Sequence, residues 1–330
     1  MALISPRAPR AIYFNDDVYV GFVQDGPVLE LASIDPKAGP VFYVLEQQTD
    51  APPRLERRTD ECKSCHVSFE RKDPIARLFV LSSLTNPEGV AINAAALSTT
   101  DQSPLQERWG GWYVTGTHGG QRHLGNIIVR TPVPKIDMRE YVAKMDLSAG
   151  ANVTDLSSRF DTKPYLSPHS DIAALMVLTH QSHIHNLMTL VNSKVKDDPS
   201  ETAVSQAAEP LVKAMLFAWT PELSEPISGT SNFAAEFARQ GPHDSQGRSL
   251  RDLDLHRRLL RYPLSYLIYS KPFDELPGGV RQYVYRRIRA ILTNQDKTID
   301  FAHLSAEDRA AILEILRETK PEVLAGFEAR

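Results

Sequence analysis

The chain of 330 residues contains two cysteines, three positions apart, and a histidine directly follows the second. Residues 60–70 read DECKSCHVSFE, which places Cys62, Cys65 and His66 in a C-x-x-C-H pattern. Three chemistries use such a pair of thiols: covalent attachment of a haem, a redox-active dithiol, or half of a zinc site. The residues around the pattern have to distinguish between them.

Covalent haem attachment explains both the spacing and the histidine. Two thiols on one helical turn can each form a thioether with one haem vinyl group, and the adjacent histidine then lies beneath the iron as its proximal ligand. A thioredoxin-like dithiol would follow a buried strand, whereas RLERRTDE precedes this pair. A zinc-stabilised binding module stays open, because THGGQRH supplies His118 and His123 as further ligands. We favour one covalent haem c.

Through Cys62, Cys65 and His66 the chain resembles c-type cytochromes. The resemblance implies a covalent haem c, a proximal His66 and a periplasmic or otherwise exported location. The stretches GGWYVTGTHGGQRHLGN and GPHDSQGRSLRDLDLHRRLLRYPLSYLIYS also resemble a large, mostly uncharacterised bacterial family of cytochrome-c-like proteins. The small all-helical cytochrome c fold is not expected. Met138 is the first methionine after the motif, far along the chain, and strand-rich sequence intervenes.

The second axial ligand of the iron is sought among histidines on one long predicted helix. That helix contains His169, His180, His183 and His185, the last three within the segment HQSHIH. Buried imidazoles need a partner for each ring nitrogen, so this density predicts a polar network or a metal. We predict His180, together with His66, as a ligand of the iron. His180, His183 and His185 are also the candidate catalytic acids or bases. Taken singly, each histidine is better explained as a hydrogen-bonded core residue.

Two arginines are candidate partners for the haem propionates. Arg248 and Arg251 lie in GRSLRDLDLHRRLLRYP, and the guanidinium fork matches a carboxylate in a bidentate manner. The alternative is a solvated helix face on which arginines pair with Asp252 and Asp254, and the residue types favour that alternative.

Composition limits the possible partners and the location of the protein. The formal net charge of −4 gives no electrostatic footprint for nucleic acid. No run of about 18 apolar residues exists that would span a membrane. The opening MALISPRAPRAIYF lacks the apolar core of a secretory signal. The haem interpretation therefore predicts an exported chain in its mature form, and the alternative is a cytosolic protein with reduced cysteines.

The distribution of strand and helix patterns predicts an α+β fold. Residues 1–135 form a β-rich part that contains the motif, residues 136–330 form a helical part, and the two make one unit packed around one haem. The predicted strands are a hairpin over 11–23, then PVLELAS, PVFYVLEQ, ARLFVLSS, GVAINAAALS, GGWYVTGTH and LGNIIVR. The predicted helices cover 168–198, 200–219, 230–239, 252–270, 278–293 and 305–318. Ser167 or Ser170 is expected to cap the first, with Pro168 in its first turn.

Two functions follow from these residues. The first is electron transfer to or from a redox partner protein, through a haem iron ligated by His66 and a second histidine or a methionine. The second is a haem-dependent oxidoreductase of peroxidase-like type, with an open or displaceable distal site that accepts a peroxide or another small oxidant.

Overall fold

The computed structural model describes residues 4–47, 52–58, 62, 66–68, 75–92, 96–130 and 138–325. Of the cysteine motif, Cys62 and His66 fall within these ranges and Cys65 lies outside them. The predicted boundary between the two parts, at residues 135 and 136, also lies outside. The described residues combine an antiparallel sheet with several helices, which confirms the α+β class.

The N-terminal part is a meander of five antiparallel strands, in the order β1-β2-β3-β4-β5. The predicted hairpin is confirmed, because the side chain of Asn15 accepts the backbone N–H groups of Asp17 and Val18 at 3.0 and 2.8 Å. The fifth strand was not predicted from its charged sequence LERR, and it forms an exposed edge, where charges discourage further pairing. The strands are β1 (Arg10–Phe14), β2 (Val18–Val23), β3 (Val28–Asp35), β4 (Gly39–Glu46) and β5 (Leu55–Arg58).

Two small hairpins follow, and two predicted strands are wrong. The hairpins pair β6 (Val67–Ser68) with β7 (Ile75–Ala76), and β8 (Val80–Ser82) with β9 (Leu97–Thr99). Residues 110–118 and 124–130 contain only isolated bridges. The amide of Asn126 binds both the N–H and the C=O of Val114 at 2.8 Å, so a side chain replaces the strand ladder there.

Helices dominate the C-terminal part, and most of them match the predicted ranges. The exception is 252–270, where one 3₁₀ turn, Tyr266–Tyr269, replaces the predicted helix. Leu255 there has a left-handed φ of 56°, Leu253 bridges Leu260, and Pro263 lacks an N–H for a helical bond. The helices are α1 (Met138–Ala143), α2 (Ile172–Asp197), α3 (Glu201–Met215), α4 (Phe233–Ala238), α5 (Lys271–Asp274), α6 (Gly278–Leu292) and α7 (Ala306–Thr319).

Helix α2 lies at the centre of the molecule. It begins after Asp171, whose carboxylate accepts the N–H of Ala173 at 2.8 Å, so the predicted capping by Ser167 or Ser170 is wrong. Pro168 accordingly precedes the first helical turn. The sheet covers one side of the helix and α3 packs against another. The main hydrophobic core draws side chains from both parts, including Tyr19 and Phe42 of the sheet and many residues of α2.

Within the described ranges, no helix combines the length and the apolar character needed to cross a membrane.

Candidate functional site

His66 has the environment of a neutral imidazole with one nitrogen to spare. It is in helical conformation, and its Nδ1 lies 3.0 Å from the carbonyl oxygen of Arg77. A carbonyl oxygen only accepts, so Nδ1 holds the proton and Nε2 keeps its lone pair. The ring packs against Phe42, with centroids 4.7 Å apart, and lies 6.3 Å from Phe79. Burial lowers the pKa of His66, which favours the neutral form that binds metals.

Cys62 is the described thiol of the motif. Like His66, it is in helical conformation. Cys62 is half-buried and packs against the main hydrophobic core. The thiol and the imidazole of the motif are therefore both drawn toward the interior of the protein.

The segment that holds His66 is fastened to helix α2 by one asparagine. Arg77 donates its N–H to the carbonyl of His66 at 2.7 Å, and Leu78 follows directly. The amide of Asn186 binds the N–H and the C=O of Leu78 at 2.8 and 2.7 Å. Asn186 is three residues after His183, so both lie on the same face of the helix. This arrangement brings the support of His66 next to the histidine-rich turns of α2.

A buried carboxylate joins two of those histidines. Asp101 follows β9, and its Oδ2 accepts from Nδ1 of His180 while its Oδ1 accepts from Nδ1 of His183, each at 2.6 Å. Burial on its own would raise the pKa of Asp101. The two imidazoles outweigh that effect and hold the pKa well below its usual range. An ionised carboxylate only accepts, so both Nδ1 atoms hold their protons.

The two histidines on Asp101 differ in their second nitrogen. Nε2 of His180 accepts the hydroxyl of Ser265 at 2.8 Å, and the ring stacks on Phe217 with centroids 4.4 Å apart. Nε2 of His183 makes no hydrogen bond among the described residues, and its side chain is 14% exposed. An imidazole held by a carboxylate at Nδ1, with Nε2 available, is the usual arrangement of a metal-ligating histidine. His183 matches it, whereas His180 is occupied at both nitrogens.

His185 faces the sheet, and Tyr19 engages its Nδ1. The hydroxyl of Tyr19 accepts from the amide of Gln181 at 2.7 Å and lies 2.9 Å from Nδ1 of His185. The same hydroxyl has a side-chain hydrogen bond with Ser182. Nε2 of His185 is buried without a hydrogen bond. Burial lowers the pKa of His185 to about 3, which keeps the imidazole neutral.

The structure also shows a chain of hydrogen bonds that the sequence did not reveal. Ser265, His180 and Asp101 are linked in the order hydroxyl, imidazole, carboxylate, as in the triad of serine hydrolases. Ser265 is 0% exposed and its hydroxyl also caps the Tyr266–Tyr269 turn, accepting the N–H of Leu267 at 3.4 Å. No substrate reaches a side chain with that burial. These hydrogen bonds link α2, the segment after β9 and the Tyr266–Tyr269 turn. No pattern of spacing predicted them, since the three residues are far apart in sequence.

His118 and His123 form a second buried pair, with ring centroids 4.7 Å apart. Nε2 of His118 accepts the N–H of Asn152 at 3.0 Å, so Nδ1 holds the proton and neither nitrogen offers a lone pair to a metal. In the part of the chain that the structure describes, no group of three or more His, Cys, Asp or Glu is arranged to hold a metal ion.

The two predicted propionate partners are engaged with carboxylates of the protein. Arg251 pairs with Asp16, and its guanidinium lies over the rings of Phe237 and Tyr266, at 4.8 and 4.4 Å from the ring centroids. Arg248 pairs with Asp244 at 2.7 Å and with Glu314 at 2.8 Å. The pairing is thus with carboxylates other than Asp252 and Asp254. Contact with a propionate stays a prediction.

No family model, curated protein or solved structure shows significant similarity to this chain. The function is therefore inferred from the residues and their geometry.

Proposed function

We propose that the chain is an exported redox protein with one covalent haem c, attached through Cys62 and Cys65 and held by His66. The principal observation is the hydrogen bond from His66 Nδ1 to the carbonyl of Arg77, at 3.0 Å. It sets the tautomer in which Nε2 offers its lone pair to a metal, and it fixes the orientation of the ring. The C-x-x-C-H pattern gives that lone pair a specific use.

The surroundings of His66 suit an apolar macrocycle. Phe42 and Phe79 lie beside the imidazole, and Cys62 packs toward the same core. When bound, a haem supplies one-electron chemistry at its iron. The task of the described residues is to hold the imidazole neutral and fixed, and to exclude water. Partial burial lowers the pKa of His66 and so favours the neutral imidazole.

We assign the second ligand position to His183 in place of His180. Asp101 keeps the proton on Nδ1 of His183 and fixes the ring, so Nε2 keeps its lone pair in a set direction. His180 helps to hold Asp101 in place. Its ring is fixed by Ser265 at Nε2, and its Nδ1 donates to the second oxygen of the Asp101 carboxylate. Asn186 then links the supports of His66 and His183. With two imidazole ligands, the protein is an electron carrier.

The second candidate function is a peroxidase-like oxidoreductase, and the partial exposure of His183 favours it. An imidazole backed by a carboxylate and open on its other nitrogen can accept and return a proton. In that function His183 is an acid and base toward a small oxidant, and it does not remain a ligand of the iron. The two functions use the same residues. They differ in whether Nε2 of His183 stays bound to the iron or gives way to the oxidant.

The deciding experiment is an absorption spectrum of the full chain produced with an export signal and haem-maturation machinery. Haem that stays with the denatured polypeptide, and is lost in Cys62→Ala, confirms covalent attachment. His256→Ala removes an exposed histidine and serves as the control that should retain haem. A low-spin spectrum unchanged by carbon monoxide supports the electron carrier, and a high-spin ferric form or a rapid carbon monoxide shift supports the oxidoreductase. A protein without haem absorbance would refute both, and a zinc site would then need ligands other than His118.

A further inference from the structure

A pocket of about 400 Å³ opens on the side of Asp101 that faces the turn between α3 and the following loop. We propose that this pocket binds a small anion with carboxylate or oxyanion chemistry, through the guanidinium of Arg108. The inference does not depend on a haem, since none of its residues belongs to the cysteine motif. The pocket lining includes Asp101, Arg108, Arg122, Thr220, Glu222 and Arg258.

Arg108 is a buried cation whose hydrogen bonds go to uncharged groups. The residue is 4% exposed. Its Nε donates to the carbonyl of Ser103 at 2.9 Å, and its Nη2 donates to the carbonyls of Asp101 and Ser103 at 2.6 Å. Its Nη1 makes no hydrogen bond among the described residues. A buried charge is expensive unless an opposite charge compensates it, and carbonyl groups bear none.

The carboxylate nearest in effect to Arg108 is that of Asp101, and both of its oxygens already accept hydrogen bonds from other side chains. The charge of Asp101 raises the pKa of Arg108, but burial has the larger effect and lowers that pKa to about 10. Both oxygens of Asp101 accept from histidines, at 2.6 Å each. The guanidinium therefore lacks a direct anionic partner, and Nη1 is the donor left for one.

Two polar atoms at the pocket are buried without a hydrogen bond. They are Oγ1 of Thr220 and Nε of Arg258, the latter 3.8 Å from Oδ2 of Asp254. Thr220 follows a turn in which Phe217 and Trp219 both have left-handed φ, 57° and 63°, a conformation that residues with side chains seldom adopt. The hydroxyl and the guanidinium can both donate, and an anion is the ligand that accepts from donors of this kind.

The charge of the pocket also favours an anion. Arg108, Arg122 and Arg258 line it, against Asp101 and Glu222. Asp101 is bound to its histidines, Arg258 is paired with Asp308 and Asp254, and Glu222 is exposed, which leaves Arg108 and Arg122 to set the charge of the pocket. A planar guanidinium binds carboxylates and oxyanions through two parallel hydrogen bonds. The volume lies near the lower end for ligand pockets, so a small molecule fits and a large cofactor does not.

The test is thermal unfolding of the full chain at constant ionic strength, with sodium chloride replaced stepwise by one probe salt. Sulfate and nitrate represent inorganic oxyanions, and acetate and succinate represent carboxylates. We expect a saturable rise in Tm with at least one probe relative to chloride, since a ligand that binds the folded state stabilises it. A rise in Tm with sulfate or nitrate alone identifies an inorganic oxyanion as the ligand, and a rise with acetate or succinate alone identifies a carboxylate. A rise with both kinds of salt supports binding through the chemistry that they share.

Variants connect the response to the pocket. Arg108→Gln should abolish it, and Thr220→Val should weaken the apparent affinity several-fold while Thr220→Ser retains it. Arg159→Gln is the matched control, because Arg159 also donates to backbone carbonyls but does not line the pocket. If Arg108→Gln fails to fold, the comparison of Thr220→Val with Thr220→Ser decides. No probe-specific rise in Tm, or equal affinity in the Val and Ser variants, would overturn the proposal.

Discussion

His183 Nδ1 lies 2.6 Å from Oδ1 of Asp101, and this contact leaves His183 with an available second nitrogen. The other carboxylate oxygen holds His180, whose Nε2 is bound to Ser265. The same carboxylate thus makes one histidine structural and leaves the other free for chemistry.

Replacing His183 by Gln should change the haem spectrum, whereas replacing His180 by Gln should mainly reduce stability. We expect His183→Gln to convert a low-spin protein to a high-spin one that binds carbon monoxide rapidly, because the lone pair of Nε2 is lost. His180→Gln removes hydrogen bonds to Asp101 and Ser265, and we expect it to lower the free energy of unfolding by about 2–4 kcal/mol. A low-spin spectrum that survives in His183→Gln and disappears in His180→Gln would contradict the assignment.

Asn186→Ala should loosen the segment that holds His66. It removes both hydrogen bonds to Leu78 and leaves a backbone N–H and C=O unsatisfied, at a cost of about 1–3 kcal/mol. We also expect a shifted reduction potential, because the support of His66 moves relative to His183. Asn192→Ala is the matched control on the same helix, since Asn192 donates to the carbonyl of Pro36 in the turn between β3 and β4. Equal potentials in the two variants would show that Asn186 does not position the site.

Stability should fall as the pH is lowered, in part through His123. Burial lowers its pKa to about 3, and the neighbouring His118 adds to the effect. In the unfolded chain a histidine titrates near pH 6.5. Between these two pH values His123 is protonated in the unfolded state and neutral in the folded state. The free energy of unfolding therefore decreases by up to about 1.4 kcal/mol per pH unit as the pH falls. Above about pH 6.5 this contribution is constant.

Urea unfolding at a series of pH values measures that slope. His123→Gln should reduce it by the equivalent of one proton. His256→Gln, which removes an exposed histidine, should leave the slope unchanged. An identical slope in His123→Gln and the unsubstituted protein would show that His123 is protonated in the folded state.

Ser265 should be inert despite its alignment with His180 and Asp101. Because it is 0% exposed, we expect no labelling by a fluorophosphonate probe and no ester hydrolysis. Ser265→Ala should instead lower the free energy of unfolding by about 1–2 kcal/mol, since the hydrogen bond to His180 is lost. The measurement is probe labelling of the folded chain beside a commercial serine hydrolase. Labelling that depends on Ser265 would make the chain of hydrogen bonds a catalytic triad.

Local sequence predicted the regular elements where one physical rule was sufficient. Asn15 marks the first hairpin, because its side chain can bind the turn N–H groups on its own. Ser305 and Asp308, three positions apart, have residue types that suit a capping box, and the structure contains that box at the start of α7. Prediction failed where distant groups compete for the backbone. Asn126 takes the hydrogen bonds that a strand at Val114 would have used, and Asp171 displaces the serines as the cap of α2.

The sequence by itself determined the cysteine motif, its histidine and the crowding of histidines on one helix, because residue type and spacing are local properties. It could not decide which of His180, His183 and His185 is the best candidate ligand. That depends on which ring nitrogen of each histidine is free of hydrogen bonds within the protein. That was decided by Asp101, Ser265 and Tyr19, which reach helix α2 from other parts of the chain. A hydrogen bond needs partners within about 3 Å, and only the tertiary structure brings such distant residues that close.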